Sequence, residues 1–215
     1  MNINFRKEMA KIYHGTTTVG IVCSDGIVFA TDTRVTADGY IAHKKGKKLY
    51  KLSDHLAMTI AGTVADAQNV IDILLFYIRK YELERQTKIP VKAAATLASN
   101  IFMSSRLFPY ITQVIIGGVD GSVPSLYQID FFGSLTEEKI VSTGSGSPIA
   151  YSILESEYFP SINVNEGVKL AVKAVLAAMK RDTATGESFD VGIIDANGYR
   201  ELSEDEKSKL IEVLR

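Results

Sequence analysis

What most restricts the folds open to this chain is the order in which its apolar pattern changes period along the 215 residues. TTTVGIVCSDGIVFATDT, residues 16–33, holds two apolar runs on either side of Asp25-Gly26, a dipeptide suited to the positive φ angles of a tight hairpin. The segment 39–50 is basic and turn-rich, and 55–61 reads as a further buried strand. From Thr63 the repeat lengthens, with Val64, Ala67, Val70, Ile71, Leu74, Leu75 and Ile78 on one helical face. A second helix follows from Pro90, with Ala94, Leu97, Ala98 and Ile101 inward, up to a break near Pro109. Strands return at 111–119, 125–130 and 139–142, the first two joined by a turn at Asp120-Gly121. Two more helices occupy 148–158 and 165–181. A hairpin about Asn197-Gly198 then joins 189–195 to 199–202, before a charged helix from Ser203.

Paired helices between antiparallel segments, without steady strand–helix alternation, argue against a parallel doubly wound sheet. The chain reads as one α+β domain. If each helix pair covers one sheet and the two sheets share a core, the result is a four-layer αββα sandwich of two antiparallel sheets flanked by helix pairs. A chain of this length with 46% hydrophobic residues can bury such a core without disulfides. Cys23 has no second cysteine to pair with, and three scattered histidines give no metal-ligand spacing. The longest charge-free stretch, 140–154, is broken by Gly144, Gly146 and Pro148 and falls short of the roughly 20 apolar residues of a membrane span. Residues 1–15 carry Arg6, Lys7, Glu8 and Lys11 and lack the apolar run of a secretory signal, which points to a cytoplasmic protein. A net charge of −1 argues against nucleic acid as the main partner.

Gly15-Thr16-Thr17-Thr18-Val19-Gly20 stands where the polar leader meets the first apolar run. Threonine and valine are good strand formers, so the run needs no chemistry to explain it. A chemical reading is also open. A threonine hydroxyl is a weak nucleophile, but a cut before Thr16 leaves an α-amine on the same residue, able to take the hydroxyl proton. The ordinary pKa of such an amine, about 7.7–8.0, lies near working pH, and a nearby cation lowers it by disfavouring the protonated form. Gly15 suits such a cut, because a residue without Cβ lets the backbone present its carbonyl to that hydroxyl.

A site of this kind needs a buried cation, a carboxylate to hold it, and donors for a tetrahedral oxyanion. Asp32 follows an apolar run and is expected to be partly buried in need of a partner. Lys48 closes the cluster HKKGKK, where Lys44, Lys45 and Lys47 read as a solvated turn while Lys48 leads into Leu49 and Tyr50. Gly62 is either a tight strand–helix connection or, near a helix N-terminus, an oxyanion donor. STGSGS, 142–147, lacks the lysine and spacing of a phosphate loop and reads as a turn and helix cap, with Ser145 open to a site. Gly186 reads as the stop signal of the helix before it.

Taken in order, GTTTVG, ATDTRVT, HKKGKKL, MTIAGTVADAQ, STGSGSP and KRDTATG resemble the catalytic β subunits of the 20S proteasome, most closely the archaeal type, across 16–202. The resemblance implies the N-terminal nucleophile hydrolase fold and threonine endopeptidase activity. It makes 1–15 a propeptide removed by autocatalysis between Gly15 and Thr16, and 16–215 the peptidase domain. Thr16 becomes the nucleophile and its amine the base, with Lys48, paired to Asp32, lowering that amine's pKa. Gly62 supplies the oxyanion amide, while Ser145, Asp182 and Thr185 hold the amine and a water; Thr185 stands where the family often has serine. Val35, Gly46, Ile60 and Val64, with Tyr50 nearby, line the pocket for the residue before the cut, Gly46 leaving depth at its base, so large apolar side chains are expected there. Thr36 lays the peptide down as an extra strand. The implied partners are proteasome α subunits and other β subunits in stacked seven-membered rings, an ATP-dependent unfoldase at the α ring, and unfolded polypeptide. No cofactor, metal, nucleic acid or membrane is implied. Two other readings compete: a ring subunit with structural duties only, and an amidohydrolase of the same class or a simpler bacterial two-ring peptidase. Thr16, Asp32 and Lys48 together argue against the first, and HKKGKKL with KRDTATG against the second.

Overall fold

The computed structural model describes residues 15–37 and 39–214, so the expected leader, 1–14, lies outside the described residues. The chain begins with β1 (Thr18–Cys23), β2 (Gly26–Asp32), β3 (Val35–Ala37), β4 (Tyr40–His43), β5 (Leu49–Ser53) and β6 (Leu56–Gly62). Helices α1 (Val64–Arg85) and α2 (Val91–Ser104) follow, then β7 (Thr112–Asp120), β8 (Val123–Ile129), β9 (Leu135–Glu137) and β10 (Ile140–Thr143). Last come α3 (Ser147–Glu157), α4 (Val164–Met179), β11 (Phe189–Asp195), β12 (Gly198–Glu201) and α5 (Glu204–Leu214).

Two five-stranded sheets, in orders β10-β1-β2-β11-β12 and β5-β6-β7-β8-β9, are antiparallel at every pairing. Their facing sides share one core: Val22, Ile27, Phe29, Val141 and Ile194 from the first meet Leu49, Ala57, Ile115 and Leu126 from the second. Alternate residues of the same strands point outward, as the two-residue period requires. Val19, Ile21, Val28 and Ala30 pack under α3 and α4, and Met58, Ile60, Val114 and Ile116 pack under α1 and α2. Both faces of β1 and β2 are therefore buried, which is why their sequences read as continuous apolar runs. The four-layer αββα sandwich expected from the order of elements is the observed architecture.

Several local expectations differ from the structure. The β1–β2 connection is Ser24-Asp25, with Cys23 opposite Gly26, and neither Asp25 nor Gly26 has a positive φ. Gly26 is small for another reason: a Cβ there would lie 2.3 Å from the carbonyl oxygen of Ile194 on the adjacent strand. The basic segment 39–50 holds more strand than its turn residues suggest, because β3 and β4 form a separate two-stranded hairpin and β5 begins at Leu49. β9 was not expected at all, being only three residues long. Helix α4 ends at Met179, well before Gly186, so that glycine is not its stop signal.

Candidate active site

The β1–β2 register sets the centre of the site. Thr18 pairs with Thr31, which places Thr17 opposite Asp32 just beyond the ladder. The Thr17 amide donates to Asp32 Oδ1 at 2.9 Å, and the Asp32 amide returns a bond to the Thr17 carbonyl at 3.1 Å. Asp32 is wholly buried rather than partly so. The cost is met by four donors: Thr17 N and Lys48 Nζ on Oδ1, Arg34 N and Gly186 N on Oδ2. Gly186 thus serves the carboxylate.

Lys48 enters this centre from the strand that it precedes. Its side chain is 6% exposed, and its three ammonium protons have three acceptors: Asp32 Oδ1 at 2.7 Å, Arg34 O at 2.6 Å and Gly15 O at 3.4 Å. Burial pulls its pKa below the ordinary 10.5, a shift that the Asp32 carboxylate opposes. Lys44, Lys45 and Lys47 are exposed, as expected of a solvated turn.

Gly15 and Thr16 cross above this ion pair. The Thr16 hydroxyl donates to the Gly15 carbonyl oxygen at 2.5 Å, so the candidate nucleophile lies against the peptide group that joins it to the leader. Any side chain on residue 15 would be displaced, since a Cβ would come within 2.0 Å of Thr36 Oγ1 and 2.6 Å of Ala184. This closeness to Thr36 also brings β3 alongside the Gly15–Thr16 peptide. Among the described residues β3 pairs only with β4, which leaves its other edge for an added strand.

On the far side, Ser145, Asp182 and Thr185 come together in one directed chain. Ser145 Oγ and Thr185 Oγ1 both donate to Asp182 Oδ2 at 2.5 Å. Each hydroxyl has a single proton, so Ser145 Oγ is left to accept the Thr16 N–H at 3.4 Å, and Thr185 Oγ1 accepts from Thr17 Oγ1 at 2.8 Å. Ser145 is brought in by Gly144, whose φ is +93° and whose Cβ would lie 2.1 Å from the Thr16 carbonyl oxygen. Thr17, Arg34 and Gly144 were not singled out from the sequence.

Gly62 has φ +139° and abuts Ile111 and Thr112, so only glycine fits where β6 meets α1. It lies with Gly15 and Thr16 on two cavities. The larger, about 270 Å³, is lined by Val35, Thr36, Gly46, Tyr50, Ile60 and Val64, all the substrate-contacting residues expected from the sequence. One expectation fails in detail. Gly46 does not leave depth at the base, because the space that a Cβ would take is filled by Val35 Cγ2 at 2.3 Å. His43, Lys45, Lys47, Lys48 and Gln68 also line this cavity. The second cavity, about 240 Å³, runs along Gln113, Phe131, Gly144 and Ser145.

A family model described as "Proteasome subunit" matches residues 12–194. The chain is 50% identical to "Proteasome subunit beta" of Archaeoglobus profundus over 206 residues, 95% of this chain and 96% of that one. It is 48% identical to "Proteasome subunit beta 2" of Ignicoccus hospitalis over 192 residues, 89% of this chain and 90% of the relative. With "Proteasome subunit beta" of Methanocaldococcus vulcanius the identity is 48% over 199 residues, 92% and 89% of the two chains. Residue pattern, αββα architecture and these matches agree: the chain belongs to the proteasome subunit family, among the β subunits of archaea.

Proposed function

We propose that this chain is a threonine endopeptidase that releases its own leader between Gly15 and Thr16 and then hydrolyses unfolded polypeptide inside a stacked-ring particle. The observation that carries the reading is the Thr16 hydroxyl bonded to the Gly15 carbonyl at 2.5 Å, directly above the buried Lys48–Asp32 pair. In the precursor, Thr16 Oγ1 adds to the Gly15 carbonyl carbon while Lys48 Nζ polarises the carbonyl oxygen. Breaking the Gly15–Thr16 C–N bond frees the Thr16 amine and leaves Gly15 as an ester on Oγ1, which water hydrolyses to release the leader and restore the hydroxyl. Until then that nitrogen is an amide and cannot act as base, so a water takes the hydroxyl proton and the step is slow.

In the mature site the free amine takes the hydroxyl proton as Oγ1 attacks a substrate carbonyl. The Gly62 N–H receives the oxyanion, the amine passes its proton to the leaving nitrogen, and water then cleaves the acyl ester. Lys48 keeps the amine neutral by charge repulsion, and Asp32 keeps Lys48 in place. Ser145, oriented by Asp182, accepts from the amine. The strand edge at Thr36 holds the peptide extended, with the preceding side chain in the cavity of Val35, Ile60 and Val64. α rings, further β subunits and an ATP-dependent unfoldase complete the particle.

Intact-mass measurement on assembled particles tests the reading. Wild-type chains should begin at Thr16, and Thr16→Ala chains should keep the leader and lack peptidase activity. Complete leader removal in Thr16→Ala would assign the cut to another protease.

A further inference from the structure

The cavity beside Thr16 is lined by the apolar Val35, Ile60 and Val64 and by basic residues as well. Among the described residues His43, Lys45, Lys47 and Lys48 line it, and no Asp or Glu does. Two of these cations are already engaged. Lys48 is paired with Asp32, while Lys47 lies 3.7 Å from Glu201 and 5.6 Å from the centre of the Tyr50 ring. Lys45 makes no ion pair among the described residues. It also lines the neighbouring cavity with Glu204, whose carboxyl is held low chiefly by Lys207 and in smaller part by Lys45. The turn through Lys45, Gly46 and Lys47 also lines the neighbouring cavity of Asp190, Glu201 and Lys207, so it forms the partition between the two.

From this arrangement we infer that Lys45 is a specificity-determining residue, which admits acidic side chains to the position before the cut. The inference rests on the peptidase reading above. A glutamate lays its two methylenes along the apolar walls and brings its carboxylate to a hydrated ammonium, so neither charge is left buried and alone. Arginine or lysine in the same place meets like charge with no acid to offset it. The pocket therefore takes Glu alongside Leu and Tyr, and discriminates against basic residues.

The test uses assembled particles and three fluorogenic peptides differing only in the residue before the cut: Leu, Glu or Arg. In Lys45→Met, which keeps an apolar stem, the Glu-to-Leu ratio of kcat/KM should fall about fivefold, the size expected of one solvated ion pair. In Lys45→Glu it should fall further, and the Arg-to-Leu ratio should rise. Raising salt from about 0.05 to 0.5 M should lower the wild-type Glu-to-Leu ratio, since an exposed pair is screened. Ratios unchanged in both variants, or a Glu peptide left uncut by the wild type, overturn the assignment of Lys45. Turnover of the Leu peptide by Thr16→Ala particles would instead overturn the nucleophile, and it leaves the Lys45 ratios to be judged separately.

Discussion

Lys48 differs from its three neighbouring lysines by one sequence signal, the apolar Leu49 that follows it, and that signal is enough to send it inward while the others stay solvated. Its ammonium has no acceptor to spare, with Asp32, Arg34 and Gly15 taking all three protons. Lys48→Ala leaves Asp32 buried without its cation and removes the field on the Thr16 amine, so peptide hydrolysis should fall by orders of magnitude. Lys48→Arg keeps the charge but not the compact ammonium and should fail as well. Near-wild-type turnover by Lys48→Ala in a fluorogenic assay would take the lysine out of the mechanism. The pH profile follows from the same residue. On the proposed mechanism activity needs a neutral Thr16 amine, so it should rise with pH as that amine, ordinarily titrating near about 7.7–8.0, loses its proton. It also needs a charged Lys48, so it falls as pH rises through a pKa that burial has moved below 10.5. The logarithm of kcat/KM should therefore be bell-shaped, with its alkaline limb absent from any Lys48 variant that retains measurable turnover. Thr17 shows where reading residues from sequence gave out. A two-residue turn at Asp25-Gly26 would set Thr17 opposite Arg34, whereas the observed turn at Ser24-Asp25 sets it opposite Asp32. One residue in a loop moves the partner by two, and the sequence alone does not place the loop that finely.

Elements long enough to show a period were legible, and short ones were not. α1, α2, α4 and the longer strands β1, β2, β6, β7, β8 and β11 carry six or more residues of repeat or apolar run, whereas β3 and β9 offer three residues each, none of them buried. Paired helices between strand runs then fix the layers, because each apolar helix stripe has one sheet face to cover. The terminal helix α5 is a different case, with few apolar residues and only Lys207 buried. That lysine pairs with Asp190 of β11 at 2.7 Å and Glu204 at 2.8 Å, tying the helix to the sheet that carries the site. Burial alone would lower its pKa, but the two carboxylates overcome that and raise it above 10.5. A raised pKa means that the folded state binds the proton more tightly, so the stabilisation is complete below pH 10.5 and is lost as pH rises through the folded value. Lys207→Met keeps the stem and removes the charge. It should lower the unfolding free energy by about 1–2 kcal/mol in urea titrations near neutral pH. The gap to wild type should close at strongly alkaline pH; a gap that persists there would mean that packing, not charge, holds α5.

At the scale of the whole molecule, several large apolar side chains stand on the surface. Phe76 and Leu83 on α1, Phe108 after α2, and Phe132 beyond β8 are each more than 60% exposed. Proteasome subunits assemble into particles, and these side chains are where neighbouring subunits are expected to pack. Assembly also answers a chemical problem. A nucleophile reached through an open strand edge, with a pocket that tolerates many side chains, would cut any extended chain that came near it. Such a site is safe only once walled off, so leader removal should wait for assembly. On the proposed mechanism cleavage would depend on Gly15 lying between Thr36 of the β3–β4 hairpin and Ala184, and on Ser145 set by Gly144 against Thr16, contacts made outside the sandwich core. The isolated chain should therefore stay unprocessed for hours and show negligible peptidase activity. Adding α rings should start leader loss in step with the appearance of large particles on a sizing column. A monomeric fraction already beginning at Thr16 and already active would show that the chain needs no partner to complete its site.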